Sequence, residues 1–333
     1  MQEHDVVGIG NAIVDIIARC DDAFLAKHGC AKGSMQLVDA AAVGSLYDDM
    51  GPAVEISGGS VANSIVGVAS FGGRAGFIGK TAADQFGQIF GHDIRTAGVT
   101  FATPPAGKGS EPTGRCLVLV TPDGQRTMHT FLGVSPQLGG GEVDAELVRS
   151  ARIVYLEGYL FDRPEAKAAF RQAAVIAAKA GRQVALSLSD AFCVDRHRPE
   201  FLGLIRNSVD ILFANEAEVT SLYQTQSFDE AARRAQADTR LAALTRSEKG
   251  SVILGEGKSI AIPAEPVARV VDTTGAGDLY AAGFLLGVAR GLSLDTAGRL
   301  GSLAAAEIIS HIGARPETRL AELARARGLL AST

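Results

Sequence analysis

From residue 151 onward the chain alternates short apolar runs with longer stretches of helical spacing, a pattern that few folds accept. The runs at 153–156, 184–188, 211–213 and 241–245 are short and apolar throughout, as strands buried on both faces must be. Between and after them, 164–180, 199–207, 216–222, 228–238, 276–290, 295–310 and 316–328 read as helices. The first half supplies a strand at 6–9, a helix at 39–50 capped by Asp39, a helix after Gly59, a strand at 76–79 and a helix at 84–98. Such alternation predicts an α/β fold with a mainly parallel sheet and helices on both faces. Two hairpin-like stretches depart from it, around 12–38 and 112–132. The second pairs runs at 114–121 and 126–132 across Pro122-Asp123-Gly124-Gln125, a good hairpin turn. Both read as insertions that form a small β lid over a site. All 333 residues read as one unit, 1–333.

Composition narrows the function. The net charge of −5 carries no general attraction to nucleic acid or to acidic membranes, and the basic residues form no run. Hydrophobic residues, 47% of the chain, are ample for a large core, but no stretch is long enough to span a bilayer. The four cysteines lack metal-binding spacing, and the acidic N-terminus does not resemble a signal peptide. A cytoplasmic protein binding a small molecule is the expectation.

The most informative motif is Asp272-Thr273-Thr274-Gly275-Ala276-Gly277-Asp278, which opens an apolar helix. Two glycines separated by alanine let backbone N–H groups converge on an anion at a helix N-terminus. Asp278 then stands beside any phosphate held there, where its carboxylate would accept a hydroxyl proton. The helix N-terminus is expected to keep that carboxylate ionised. Gly58-Gly59-Ser60-Val61-Ala62-Asn63 repeats the arrangement, with glycines that allow close approach of a ligand and an amide able to bind a hydroxyl. Asp15 interrupts an apolar strand, as a binder of vicinal hydroxyls or as a residue of an exposed face. Asn215 and Glu218 follow the buried strand at 211–213, at the end where open α/β sheets bind ligands. They read equally as water-mediated Mg²⁺ ligands and as a helix cap with an acidic first turn. Arg126 could reach a transferred phosphate or be a solvated lid charge.

Two other motifs fail. Gly8-Ile9-Gly10-Asn11-Ala12-Ile13 follows a strand, but Ile13 replaces the third glycine of a dinucleotide fingerprint. Gly79-Lys80-Thr81 lacks the earlier glycine of a P-loop, since Arg74 stands there.

Together, Gly58-Gly59-Ser60-x-x-Asn63-Ser64, Asn215-x-x-Glu218 and Asp272 to Asp278 resemble, in that order, the signatures of the ribokinase-like (PfkB) carbohydrate kinases. Gly10-Asn11-x-x-x-Asp15 and the form of the Gly59-Ser60 motif are similar to the adenosine-kinase branch. The resemblance implies a ribokinase-like three-layer α/β/α sandwich with a β-sheet lid. It implies ATP and Mg²⁺ as cofactors, with Thr273, Asn215 and Glu218 on the ATP/Mg²⁺ side. It also implies transfer of a phosphoryl group to the 5′-hydroxyl of a ribonucleoside, adenosine first. Asp278 would be the base, Gly275, Ala276 and Gly277 the anion hole, and Arg126 a phosphate contact. Asn11, Ile13, Asp15, Gly58, Gly59, Ser60 and Asn63 would hold the sugar. Gln36, Val38, Met128, Thr130 and Leu132 would line the base, with Tyr159 stacked on it. Asp272 and Thr274 resemble a K⁺ loop. Another nucleoside (inosine, guanosine), a free sugar (ribose, fructose) and a non-catalytic ligand-binding homologue are the alternatives. The resemblance allows a monomer or a lid-mediated homodimer.

Overall fold

The computed structural model describes residues 3–331. Among these residues the central layer is a nine-stranded sheet ordered β14-β13-β12-β11-β10-β9-β1-β5-β6. Its strands are β1 (His4–Ile9), β5 (Ala75–Ile78), β6 (Val99–Thr100), β9 (Ala151–Glu157), β10 (Gln183–Ser187), β11 (Ile211–Asn215), β12 (Leu241–Thr245), β13 (Ser251–Gly255) and β14 (Lys258–Ile262). Pairing is parallel from β12 through to β6, and β13 and β14 extend the edge antiparallel.

Side chains alternate across this sheet and build two cores. Val6, Ile153, Tyr155, Ile211 and Phe213 face one, and Val7, Val154, Leu156, Leu212 and Ala214 the other. The first core is covered by α3 (Ser60–Ser70), α4 (Gln85–Thr96), α10 (Ala276–Ala289), α11 (Leu294–Ile308) and α12 (Leu320–Ala326). The second is covered by α5 (Ala145–Ser150), α6 (Pro164–Lys179), α7 (Ala191–Ser208), α8 (Glu216–Tyr223) and α9 (Phe228–Asp238). The three-layer sandwich follows from the strands being apolar on both faces.

A second sheet is ordered β3-β8-β7-β2-β4, from β2 (Ile13–Arg19), β3 (Met35–Leu37), β4 (Ala53–Gly58), β7 (Gly114–Val120) and β8 (Arg126–Phe131). Val14, Ile16, Leu117 and Leu119 turn one of its faces into the first core, where α1 (Asp22–Lys27) and α2 (Ala40–Asp49) contribute Leu25 and Val43. Ile13, Cys116, Val118 and Val120 line the opposite face, with Ile17, Met128 and Leu132 packed against them.

Two sequence expectations change here. The stretch 12–38 is no hairpin: β2 pairs with β4 and β7, while β3 pairs with β8. β4 was not anticipated, because its first two residues are exposed and it has no clear apolar alternation. The helix expected at 199–207 is the second part of α7, which begins at Ala191 and kinks at His197, just before Pro199. Proline suits the first turn of a helical segment, and here it follows the kink.

No described helix is long and apolar enough to cross a membrane. All four cysteines are free thiols.

Helices α10 and α11 approach closely because Gly283 has no side chain: a Cβ there would lie 2.4 Å from the Leu300 backbone. Gly44, in α2, faces open space. Gly283→Ala is therefore expected to destabilise the fold by about 1–3 kcal/mol. Gly44→Ala should stabilise it by about 0.5–1 kcal/mol. Chemical denaturation of the two variants beside the parent checks both signs.

Candidate active site

Two glycine turns converge at the same end of the main sheet. Gly275 caps α10 with a left-handed φ of 78°, which a side chain would strain. Gly59 caps α3 with φ of 101°, and a Cβ there would lie 2.2 Å from the Asn11 carbonyl oxygen. The first turns of the two helices meet at Asp278. Ser60 Oγ donates to Asp278 Oδ1 at 2.6 Å, and Asn63 Nδ2 donates to Oδ2 at 3.1 Å. Asn63 Oδ1 is buried without a hydrogen-bond partner, an open acceptor in the turn expected to hold a hydroxyl.

Desolvation pushes the Asp278 carboxyl above its usual range, while Ser60, Asn63 and Arg315 pull it down. Burial thus acts against the ionising influence expected of the helix N-terminus. Of the three N–H groups expected to form the anion hole, the one at Ala276 is already bonded. The Ala276 N–H donates to the Thr273 carbonyl (3.2 Å), so the N–H groups at Gly277 and Asp278 are the first-turn donors left without an intrahelical carbonyl.

On one side of Asp278 lies a cavity of about 730 Å³, lined by Ser60, Asn215, Glu218, Thr273, Gly277 and Tyr280 among others. Its size suits a nucleotide-sized ligand. Asn215 caps α8 by accepting from the Glu218 N–H (2.9 Å), and it donates Nδ2 to Glu218 Oε1 (2.6 Å). The helix-cap reading of this pair is therefore realised, and it leaves the buried Glu218 carboxylate in the same cavity as Asp278. Burial pushes Glu218 up to about 7. No cluster of three or more His, Cys, Asp or Glu ligands occurs among the described residues. One carboxylate with its amide suits a cation that keeps most of its water shell, as Mg²⁺ does.

On the other side of Asp278 is the lid sheet. Asp15 of β2 lies over Gly58, where a Cβ would meet its Oδ2 at 2.3 Å. Burial lifts the Asp15 pKa to about 6; Arg315 opposes the shift, Asp278 adds to it, and Arg126 opposes it. Asp15, Cys116 and Thr130 are successive partners across β2, β7 and β8, and Ile17, Val118 and Met128 form the next row. Thr130 Oγ1 donates to Cys116 Sγ at 3.2 Å. Met128 and Leu132 pack with Ile13 on this face, as the strand alternation predicts. Gln36 is exposed on edge strand β3, and the Val38 N–H donates to the Thr130 carbonyl (2.9 Å).

Four expected roles are altered. Asn11 is committed to protein partners: Nδ2 donates to Glu157 Oε1 (2.6 Å), and Oδ1 accepts from Ser135 Oγ (3.0 Å). Tyr159 is tied through its hydroxyl to the carbonyl of Ser189 (3.2 Å), a residue that lines the cavity rather than the lid. Arg126 Nη2 lies 2.7 Å from Asp272 Oδ2, where the sequence suggested a phosphate contact. Its Nε and Nη2 have no aligned acceptor, so the buried guanidinium retains capacity for an anion. Asp272 itself also accepts from the N–H groups of Thr274 (3.0 Å) and Gly313 (3.2 Å). A carboxylate already surrounded by a guanidinium and two N–H donors does not fit a K⁺ site.

Glu157 was missed. It accepts from the Asn11 and Val61 N–H groups at 3.2 and 3.0 Å, and burial pushes it up to about 7. The signal was present in the sequence, since a carboxylate ending an apolar strand needs buried partners just as Asp15 does. Arg315 was also missed, and no local pattern marks it.

Residues 48–319 match the pattern of the pfkB family carbohydrate kinase. The chain belongs to this family. An adenosine kinase structure from Sinorhizobium meliloti is 52% identical with a TM-score of 0.91, covering 98% of this chain and 99% of that one. A probable sugar kinase from Rhizobium etli CFN 42 is 50% identical with a TM-score of 0.92, covering 99% of this chain and all of that one. Adenosine kinase of Saccharomyces cerevisiae is 25% identical over 331 residues, covering 92% of this chain and 95% of the yeast protein. The fold is ribokinase-like, and the protein is a phosphotransferase that uses ATP and acts on a hydroxyl group.

The raised Asp15 pKa has a consequence for stability. Its folded value of about 6 exceeds the ordinary 3.8, so the native state holds the proton longer than the unfolded chain. The carboxylate therefore costs stability progressively as pH rises from about 4 to about 6, and the full cost persists above that. Asp15→Asn should raise Tm at pH 8 and change it little at pH 4. Calorimetry without ligand at both values tests the sign.

Proposed function

We propose that this kinase transfers the γ-phosphoryl group of ATP to the 5′-hydroxyl of adenosine, giving AMP and ADP. The observation that carries the reading is the position of Asp278. It borders the nucleotide-sized cavity on one side and is held by the Ser60–Asn63 turn, which adjoins Asp15, on the other. The extent of likeness to the Sinorhizobium meliloti adenosine kinase supports adenosine as acceptor.

In this reading Asp15 and the open Asn63 Oδ1 take the ribose hydroxyls and aim the 5′-oxygen at the phosphorus. The purine lies against the lid face formed by Ile13, Ile17, Val118 and Met128, where an apolar surface suits a base. As the 5′-oxygen bonds to the γ-phosphorus, the bond from phosphorus to the ADP oxygen breaks and the hydroxyl proton passes to Asp278. A carboxyl raised by desolvation is a better proton acceptor than an ordinary aspartate. The N–H groups of Gly277 and Asp278 receive the charge that develops on the phosphoryl oxygens. Arg126 exchanges Asp272 for that phosphoryl group, which puts its unmatched N–H groups to use. Asn215 and Glu218 would hold Mg²⁺ through its water, and the ion would neutralise phosphate charge.

A second reading, phosphorylation of a free sugar, is favoured by the equally extensive likeness to the Rhizobium etli probable sugar kinase. Initial-rate assays across adenosine, inosine, guanosine, ribose and fructose separate the two. A kcat/KM for ribose or fructose above that for adenosine would sink the nucleoside assignment. Asp278→Asn is expected to lower kcat by about 10²-fold or more with ATP binding retained. Near-normal turnover in that variant removes Asp278 from the role of base. Asp15→Ala is expected to raise the acceptor KM, and an unchanged KM rejects its grip on the ribose.

A further inference from the structure

The tripeptide Gly313-Ala314-Arg315, which follows α11, touches both glycine turns. The Gly313 N–H donates to Asp272 Oδ2 at 3.2 Å. Ala314 packs on Gly275, so that a Cβ added there would lie 3.0 Å from the Ala314 Cβ. Arg315 crosses to the other turn, where Nε donates to the Ser57 carbonyl (2.8 Å) and Nη1 to the Ala62 carbonyl (3.0 Å). Nη2 donates to the Ser57 carbonyl and to Ser57 Oγ (2.8 Å). Asp93 Oδ2 completes the cluster by accepting from the Ser57 N–H (2.8 Å) and the Ser57 hydroxyl.

Ser57 and Ala62 flank Gly58-Gly59-Ser60, so one guanidinium bridges the turn from end to end. That turn carries Ser60 to Asp278 and presents Gly58 beneath Asp15. The geometry points to Arg315 as a positioning residue that clips this turn shut and supplies the positive charge facing both the phosphoryl-transfer carboxylate, Asp278, and the acceptor-binding carboxylate, Asp15. The inference deepens the kinase reading and rests on it for the roles of those two residues. The bridge and its charge stand independently of it.

Charge is needed here because carboxylates crowd the site. Asp278 is faced by Asp15 from β2, Tyr155 and Glu157 from β9, Tyr159 from the turn after β9 and Glu218 from α8; Ser60 and Asn63 of α3 supply neutral donors. Arg315 is the cation acting on Asp278, whereas Asp15 feels both Arg315 and Arg126. Asp93 also faces Arg315 and helps to hold its charge inside the protein. Lysine would retain the charge but not the fork that spans two carbonyls.

The test is a titration of the Asp278 carboxyl by ¹³C NMR in the full chain without nucleotide, with the resonance assigned through Asp278→Asn. Arg315→Gln should raise its midpoint by about one unit, and Arg315→Lys should leave it near that of the parent. Both variants should raise the acceptor KM several-fold, because both lose the bridge. The acidic limb of kcat should move upward in the Gln variant alone. An unmoved midpoint in Arg315→Gln overturns the proposal, and so does a Lys variant displaced as far as Gln. If Arg315→Gln does not fold, Arg315→Met serves as the neutral replacement under the same criteria. If neither neutral variant folds, a folded Lys variant with the parental midpoint and a raised KM supports the role, and a Lys variant that also fails to fold overturns it. The titration needs no turnover. A parent protein that phosphorylates no nucleoside or sugar therefore defeats the functional reading, while Arg315 is still judged by the midpoint.

Discussion

Everything at the site depends on the close packing of α3 against α10. Gly67 makes it possible: a Cβ at that position would lie 2.6 Å from Ala282 and 2.7 Å from Leu279. With no side chain between them, the helices bring their first turns to the same point, and Ser60 and Asn63 reach Asp278. Each helix begins at a glycine with positive φ, so each also offers backbone N–H groups near the junction. Core packing thus sets the geometry of a polar site.

The second constraint is electrostatic. Asp15, Glu157, Glu218 and Asp278 are all withdrawn from water, and burial raises the pKa of each. Few cations oppose this: Arg126 reaches Asp272 from the lid, and Arg315, in the segment after α11, acts electrostatically on Asp15 and Asp278. An arrangement of mutually repelling carboxylates costs stability in the free protein, and the ligands of a kinase reduce that cost. In the proposed reaction a hydroxyl would satisfy the open Asn63 Oδ1, and a cation bound with the nucleotide would draw down the pKa of nearby acids.

The lid contributes a surface that the main sheet cannot. Its two faces divide cleanly, with Val14, Ile16, Leu117 and Leu119 in the core and Ile13, Cys116, Val118 and Val120 on the opposite side. The pleat places Asp15 on that second face beside Cys116 and Thr130, a polar row next to the apolar row of Ile17, Val118 and Met128. Sugar hydroxyls and a base need just such a juxtaposition.

Much of this could be read from residue order. Strand runs apolar at every position require helices on both faces, and the Gly-Gly and Gly-Ala-Gly turns mark two helix N-termini, the second with Asp278 in its first turn. These features are local: they depend on φ, on alternation and on neighbours a few residues apart. The sequence could not say where side chains end up when several partners compete for them. Asn11 was free in the sequence but is bound by Glu157 and Ser135, more than a hundred residues away. Asp272 suggested a cation loop until the lid brought Arg126 to it. Helix N-terminal geometry argued for an ionised Asp278, and the burial that pushes its pKa upward comes from distant elements. β4 and Arg315 left no local trace, because their meaning lies wholly in what they pair with. Local conformation and periodicity are properties of short segments, whereas burial, charge balance and hydrogen-bond satisfaction belong to the packed assembly of all of them.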